Sequence, residues 1–295
     1  MKKVVAIFSF IFMVVLTGCG GGGGGGDDYG YNEFPSAPSP SQMARITPDN
    51  SDEIVLSVYR AILGSNDYKE LDIFSRKVSP TKPSFRSMKE LSLRILNKRL
   101  VRDYCDVGSM DINRITSTEV EINYNNCEIS GTRYNGYAHI YKNGDRARIV
   151  FKYFTARNLS ETLAIRKAEF IVQDDIFEIK SMYAKYEGKD DKVEFLNYSS
   201  KVITDEYNNW VVVNVNGYIK TKCSKGFVKV KTAPEVKIYT NSGEIEGTLE
   251  ISSRGDMITL LFEDGMVYIT NTIDTSTVSL SLDEFKKLES STYCD

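Results

Sequence analysis

The sequence predicts an α+β protein: a short N-terminal helical segment, then a large antiparallel β meander of about a dozen strands, an open barrel or a sandwich. Three observations support this fold class. Apolar residues recur at the helical period over residues 49–103 and then alternate with polar residues over residues 104–295. Turn signals divide the alternating part, and successive hairpins without helices between them form an antiparallel sheet.

The helical segment begins at a sequence typical of a capping box, with Asn50 followed three residues later by Glu53. Three apolar side chains then share one helical face: Ile54, Val58 and Ile62. Gly64 suits the end of this helix, because glycine readily adopts the left-handed conformation of a C-terminal cap. Two more helices are expected over residues 67–78 and 84–100.

Three residue pairs in the alternating part are typical of tight hairpin turns: Asn143-Gly144, Asp174-Asp175 and Asp264-Gly265. Counting outward from these turns pairs apolar residues across the strands: Ile140 with Ala147, Phe170 with Ile179, and Leu260 with Ile269. The first register also places His139 opposite Arg148. A further turn is expected over residues 188–191. Ser281 and Glu284 predict a capping box for a short helix near the end of the chain.

The first residues have the pattern of an export signal. Lys2 and Lys3 are followed by an apolar run, Val4 to Leu16, that is too short to span a bilayer as a helix, which needs about 20 residues. The run ends in Leu16-Thr17-Gly18-Cys19, which resembles the lipobox of bacterial lipoproteins. An ordinary secretory signal with an incidental cysteine is the alternative.

The lipobox resemblance implies a membrane anchor. In that family the cysteine thiol is acylated and the chain is cut before it, so residues 1–18 would be removed and Cys19 would carry the lipid. A multiple-chain anchor is stable because each buried methylene contributes about 0.8 kcal/mol. In this family an aspartate after the cysteine usually retains the protein at the inner membrane. Gly20 stands there, so the outer membrane of the cell envelope is favoured.

A flexible linker is expected over residues 19–48. It contains seven glycines in succession, Gly20 to Gly26, and then a stretch with four prolines. The predicted organisation is therefore a signal peptide, an anchored linker, a helical segment and a β domain, over residues 1–18, 19–48, 49–103 and 104–295.

Four cysteines follow the predicted anchor: Cys105, Cys127, Cys223 and Cys294. An even number in an exported chain predicts two disulfides, and four cysteines allow three connectivities. A hairpin centred on residue 116 brings Cys105 close to Cys127 and pairs Ile112 with Val120. It also places the cysteines on the face opposite to the apolar residues, so a bulge or a shifted turn is expected. Cys223 is then left to pair with Cys294.

A second resemblance covers about 35 residues of the β domain. The segments Cys105-Asp106-Val107-Gly108, Tyr124-Asn125-Asn126-Cys127 and Asn135-Gly136 look like a recurring block in uncharacterised Gram-negative lipoproteins. The resemblance implies a β-rich exported domain with paired cysteines. It implies no activity and no site residues.

Motifs for catalysis, metals or cofactors are missing from the sequence. Lys and Arg number 37 against 40 Asp and Glu, which disfavours a nucleic-acid binder. The single histidine, His139, has no nucleophile motif beside it, and acidic pairs such as Asp174-Asp175 suit turns better than calcium. Aromatic residues interleaved with lysine, as over residues 151–154, would suit a stacking platform for sugars, but strand propensity explains them as well and is favoured.

The sequence therefore predicts a non-enzymatic, membrane-anchored envelope lipoprotein without a cofactor. Its expected role is to bind a partner or to support an envelope assembly, with the membrane and an envelope protein or lipid as partners and no nucleic acid. The alternative is a carrier of a lipid or another apolar ligand in a curved-sheet cavity. A lined apolar cavity would favour the carrier, and a filled core with a flat exposed face would favour the binding module.

Overall fold

The computed structural model describes residues 37–66, 105–188 and 192–291. These residues form a short 3-10 helix (Pro40–Gln42), helix α1 (Ser51–Asn66), fourteen β-strands, and helix α2 (Leu282–Ser291). The predicted leader, most of the linker and the helices predicted over 67–78 and 84–100 lie outside the described residues. The turn predicted over 188–191 lies outside them too, apart from its first residue.

All fourteen strands belong to one sheet, and neighbouring strands are antiparallel. The strands are β1 (Val107–Arg114), β2 (Glu119–Ile129), β3 (Thr132–Asn143), β4 (Arg146–Arg157), β5 (Thr162–Gln173), β6 (Ile176–Glu187), β7 (Lys192–Asp205), β8 (Trp210–Thr221), β9 (Phe227–Thr232), β10 (Val236–Tyr239), β11 (Ile245–Ser253), β12 (Asp256–Glu263), β13 (Met266–Asn271) and β14 (Thr277–Ser281). The fold is thus mostly β, with a large antiparallel sheet and one helix near its N-terminal side, as predicted.

Strands β9 and β10 together occupy one position in the sheet. Each pairs with β8 on one side and with β11 on the other, and both run in the same direction. Residues 233–235 interrupt them. Apart from β9 and β10, which share one position, consecutive strands lie side by side from β1 to β14, so the sheet is a simple meander.

Helix α1 begins near the predicted position and buries the predicted face. The three side chains expected on that face are at most 5% exposed: Ile54, Val58 and Ile62. The predicted caps differ from the structure. Asn50 Oδ1 accepts a hydrogen bond from the Thr47 amide, not from the Glu53 amide as a capping box requires. At the other end the helix does not stop at Gly64 but continues to Asn66.

Two of the three predicted hairpin registers are confirmed. Phe170 pairs with Ile179, and Leu260 pairs with Ile269. The third register is wrong: Gly144 and Asp145, not Asn143 and Gly144, form the turn, because Asn143 pairs with Arg146 as the last residue of β3. This shift pairs Ile140 with Ile149 instead of Ala147, and it pairs His139 with Val150 instead of Arg148.

The hairpin between β1 and β2 corrects a further prediction. Ile112 pairs with Ile122, not with Val120, because the turn is centred one residue later than expected. A register shift, which is the expected bulge, follows between Val107 and Ser109, and Cys105 lies just before β1. Cys105 and Cys127 form the expected disulfide, with their sulfurs 2.08 Å apart.

The buried face of the sheet is densely aromatic. Phe151 packs against Phe154 with ring centroids 4.7 Å apart and against Phe170 at 5.6 Å, and Phe170 continues the contact to Phe177 at 6.0 Å. Helix α1 packs on β8 and β7, and its Tyr59 contacts Phe285 of α2. The described residues therefore bury one face of every long strand.

Near the C-terminal end, α2 carries the predicted capping box. Ser281 Oγ and the Ser281 amide both donate to Glu284 Oε2, and the Glu284 amide donates to Ser281 Oγ. These bonds satisfy backbone donors that the first turn of a helix leaves unpaired.

Candidate ligand-binding face

The predicted site residues are only partly within the described chain. Cys105 and Cys127 are brought together, as described above. Cys223 is buried in the turn after β8 and is also disulfide-bonded. Its predicted partner, Cys294, and the predicted lipid attachment site, Cys19, lie outside the described residues. Their pairing and acylation remain predictions.

The opposite face of strands β2 to β8 carries polar and charged side chains. Cross-strand pairing places Tyr137 beside Lys152, Lys152 beside Lys167, and Lys167 beside Tyr183. Because directly paired residues of an antiparallel sheet project to the same side, these four side chains form a continuous line across β3, β4, β5 and β6. We call them, together with Tyr153, the Tyr–Lys row.

Tyr153 joins the row through a β-bulge. It has a positive φ of 48°, and the pairing of β3 with β4 shifts register between Asn135 and Tyr137. Lys152 and Tyr153 are both exposed, Tyr153 to 65%, whereas Phe151 and Phe154 on either side are fully buried. The bulge thus adds a third tyrosine to the polar face, which a regular strand would have turned inward.

The bulge requires a glycine on the neighbouring strand. A Cβ atom at Gly136 would lie 2.1 Å from the carbonyl oxygen of Tyr153, and Gly136 itself has a φ of 99°. Only glycine allows both the close approach and this backbone conformation.

The two lysines of the row are placed directly opposite each other. Like charges in this position destabilise a sheet, so packing alone does not favour the pair. Lys152 Nζ lies 5.8 Å from the centre of the Tyr137 ring, a cation–π distance that partly offsets the repulsion. The result is a site with two lysines paired across neighbouring strands and a tyrosine paired on each side of them.

Carboxylates lie beside the row. Tyr137 Oη donates a hydrogen bond of 2.7 Å to Glu121 Oε1, and this bond lowers the pKa of Glu121. Partial burial, and then the same bond, raise the pKa of the Tyr137 hydroxyl. Burial also raises the pKa of Tyr183. At neutral pH Tyr137 and Tyr183 are therefore neutral hydrogen-bonding groups.

Ion pairs mark the side of the row toward the β3–β4 turn. Arg148 donates to both oxygens of Glu169, at 2.8 and 3.2 Å, and this bidentate contact lowers the pKa of Glu169. His139 Nε2 donates to Glu119 Oε1 at 2.8 Å, with both side chains about one quarter exposed. The histidine is thus held by a carboxylate.

Within residues 37–66, 105–188 and 192–291, no group of three or more His, Cys, Asp or Glu side chains is placed to hold a metal ion. In the same part of the chain, no helix has the length and apolar character needed to cross a membrane.

A separate cleft of about 390 Å³ lies where the N-terminal segment meets β8 and β9. Its charged lining consists of Arg45, Lys220, Lys225 and Glu194, with Phe227 as its aromatic residue. A mainly polar lining of this kind suits a carrier of an apolar ligand poorly.

Sequence reasoning found only part of the Tyr–Lys row. The segment 151–154 was a candidate platform, and the structure divides it into two buried and two exposed residues. The partners of Lys152 in the row have no recognisable pattern in the local sequence, because only the strand registers bring Tyr137, Lys167 and Tyr183 into this line.

In comparisons with known proteins, no family model matches the chain, and no match is found among curated proteins or solved structures.

Proposed function

We propose that this protein is a lipid-anchored envelope lipoprotein without catalytic activity, and that its Tyr–Lys row binds an acidic glycan. The observation that carries the proposal is the pair Lys152 and Lys167, placed directly opposite each other between tyrosines. A ligand that carries negative charge would form charge-assisted hydrogen bonds with both lysines.

The chemistry of the row fits a sugar that carries carboxylate or phosphate groups. Each lysine provides a charged donor, and charge-assisted hydrogen bonds are about twice as strong as neutral ones. The exposed ring of Tyr153 and the half-buried rings of Tyr137 and Tyr183 offer apolar faces to pyranose rings and hydroxyl groups to their polar edges.

The anchor and the location belong to the same proposal. The lipobox residues support acylation of Cys19 and attachment to a membrane, and Gly20 favours the outer membrane. We infer that the mid-strand bulges bend the long strands into an open barrel. The polar face would then form its outer surface, accessible to a polymer of the envelope.

The proposal is tested by measuring binding of the protein to immobilised polygalacturonate, a polymer of acidic sugars, with neutral dextran as the reference ligand. We expect K152Q/K167Q to weaken binding at least tenfold, since hydrogen bonds to charged groups contribute about 1.5–3 kcal/mol each. Dextran should not bind.

The matched control is K201Q/K231Q, which removes two exposed lysines of the same sheet outside the row. It should change the affinity less than about twofold, because surface charges at a distance are screened. Equal losses in both variants, or equal binding of dextran, would refute a specific role of the row.

A further inference from the structure

The N-terminal segment joins the sheet at one defined place. Met43 forms a parallel bridge with Phe227, and the Ala44 amide donates to the Phe227 carbonyl at 2.8 Å. Ser253 Oγ donates to the Ala44 carbonyl at 2.6 Å, and Arg254 donates to the Met43 carbonyl at 2.9 Å. The chain therefore enters the folded body beside the β8–β9 and β11–β12 connections.

Basic side chains are concentrated at this entry point. The cleft is lined by three basic side chains, those of Arg45, Lys220 and Lys225, and by one carboxylate, that of Glu194. Glu194 pairs across the strands with Lys220. Lys222 is exposed in the same connection as Lys225. We call the four basic residues the entry patch: Arg45, Lys220, Lys222 and Lys225.

The connections at the opposite end of the sheet carry the opposite charge. In a meander, alternate connections lie at the same end, so those after β1, β3, β5, β7, β10 and β12 lie away from the entry patch. Their acidic residues are Asp145, Asp174, Asp175, Glu206, Glu244 and Asp264, and they contain no Lys or Arg. Among the described residues of the other connections at the entry end, Glu161 and Asp274 are acidic and Arg254 is basic, so the concentration of positive charge is local to the patch.

We propose that the entry patch binds the phosphate groups of an anionic bilayer surface and so orients the body with its acidic end away from the membrane. The cleft admits a phosphate between Arg45 and Lys225, and Lys222 contacts neighbouring headgroups. Charge complementarity favours this occupant, because a bilayer of anionic lipids attracts basic residues and repels the acidic end. The inference does not depend on the glycan proposed above.

The test uses residues 35–295, since Pro35–Asp295 form one compact unit. This part lacks the predicted anchor, so its binding reports the body alone. We expect co-sedimentation with vesicles that contain phosphatidylglycerol and none with pure phosphatidylcholine. Raising the salt concentration should weaken binding, because the attraction is electrostatic.

The variant R45Q/K225Q should lower the partition coefficient about 30-fold, as expected for two basic residues at an anionic surface. The control K142Q/R146Q removes the same amount of charge from exposed positions at the acidic end. It should change the partition coefficient less than twofold. Circular dichroism of both variants verifies that they are folded.

Three results would overturn the proposal. Equal losses in both variants would show a non-local charge effect, and equal binding to both kinds of vesicle would exclude charge recognition. Binding of inorganic phosphate by the protein without binding to vesicles would assign the cleft to a free anion instead. Loss of glycan binding in K152Q/K167Q leaves this test unaffected, because those lysines lie outside the entry patch.

Discussion

The two halves of the sheet differ in strand length and in regularity. Strands β2 to β8 have 11 to 14 residues, whereas β9 to β14 have 4 to 9. Register shifts occur in six of the seven pairings from β1 to β8, and none occurs in the described pairings among β9 to β14. Long strands accumulate twist, and bulges allow them to bend.

The difference shows that a bulge which bends a strand also changes which side chains lie on the polar face. In the long half, residues with positive φ lie opposite glycines: Tyr153 opposite Gly136, and Asn197 opposite Gly217. The first of these bulges places Tyr153 on the polar face. The short half has one comparable break: residues 233–235 separate β9 from β10, and a Cβ atom at Gly247 of β11 would lie 2.3 Å from the carbonyl oxygen of Glu235.

The largest expected effect tests whether the long half depends on its bulges. Gly136→Ala should destabilise the protein by about 4 kcal/mol or more, because the new methyl group would meet the Tyr153 carbonyl and the Phe154 backbone. Gly131→Ala is the matched control: its φ is also positive, at 76°, but its Cβ would meet nothing within 4 Å. The control should cost about 1 kcal/mol.

Urea denaturation followed by far-UV circular dichroism measures both changes. Similar losses in the two variants would mean that backbone conformation alone, and not the close approach at the bulge, makes glycine necessary at position 136.

A smaller effect is expected at the edge of the long half, where the disulfide connects β1 to β2. C105S/C127S should lower the free energy of unfolding by about 3 kcal/mol, as expected for a loop of this size. The sequence separation of the two cysteines is 22. The double variant is preferable to a reducing agent, because Cys223 is also disulfide-bonded.

In thermal unfolding, this loss should appear as a lower midpoint of a single transition. An unchanged midpoint would show that the β1 edge is held by its backbone ladder alone and that the covalent link adds nothing.

The smallest effect concerns the Glu121–Tyr137 contact on the polar face. Because the folded pKa of Glu121 is lowered, its contribution is fully present above its unfolded pKa, about 4.3, and is lost as the pH falls through the folded value. E121Q should therefore show a smaller loss of stability on acidification, by less than about 1 kcal/mol, as is usual for half-exposed groups.

Y137F is the informative partner of this variant, because the hydrogen bond from Tyr137 is the main cause of the lowered pKa of Glu121. Y137F should likewise reduce the loss of unfolding free energy as the pH falls below the unfolded pKa of Glu121. If Y137F retained the acid loss of the parent protein, the neighbouring cations would be the cause instead.

Particular turns show how far the sequence could predict this fold. Asp264 and Gly265 both have positive φ, 52° and 72°, as expected for a two-residue hairpin, and the strand pairing around them was predictable. At Asn143-Gly144 the glycine takes the first central position, so the register moves and His139 changes its partner. Local residue preferences identify a turn more reliably than its position.

The candidate site was harder to predict than the fold for a related reason. The Tyr–Lys row depends on three registers and on one bulge, and a shift of one residue would move each side chain to the other face. The disulfide was easier, because equal spacing about a turn brings Cys105 and Cys127 close even when the turn shifts by one residue.

The bonding of residues 43 and 44 to the sheet has a mechanical consequence. A force that pulls on the chain from its N-terminal side acts first on the contacts with Phe227, Ser253 and Arg254. It reaches α1 next, where Ser57 Oγ is hydrogen-bonded to Thr221 Oγ1 at 2.8 Å. Strands β3 to β6 lie beyond both points, so load from an anchor would peel away the entry segment while the Tyr–Lys row keeps its shape.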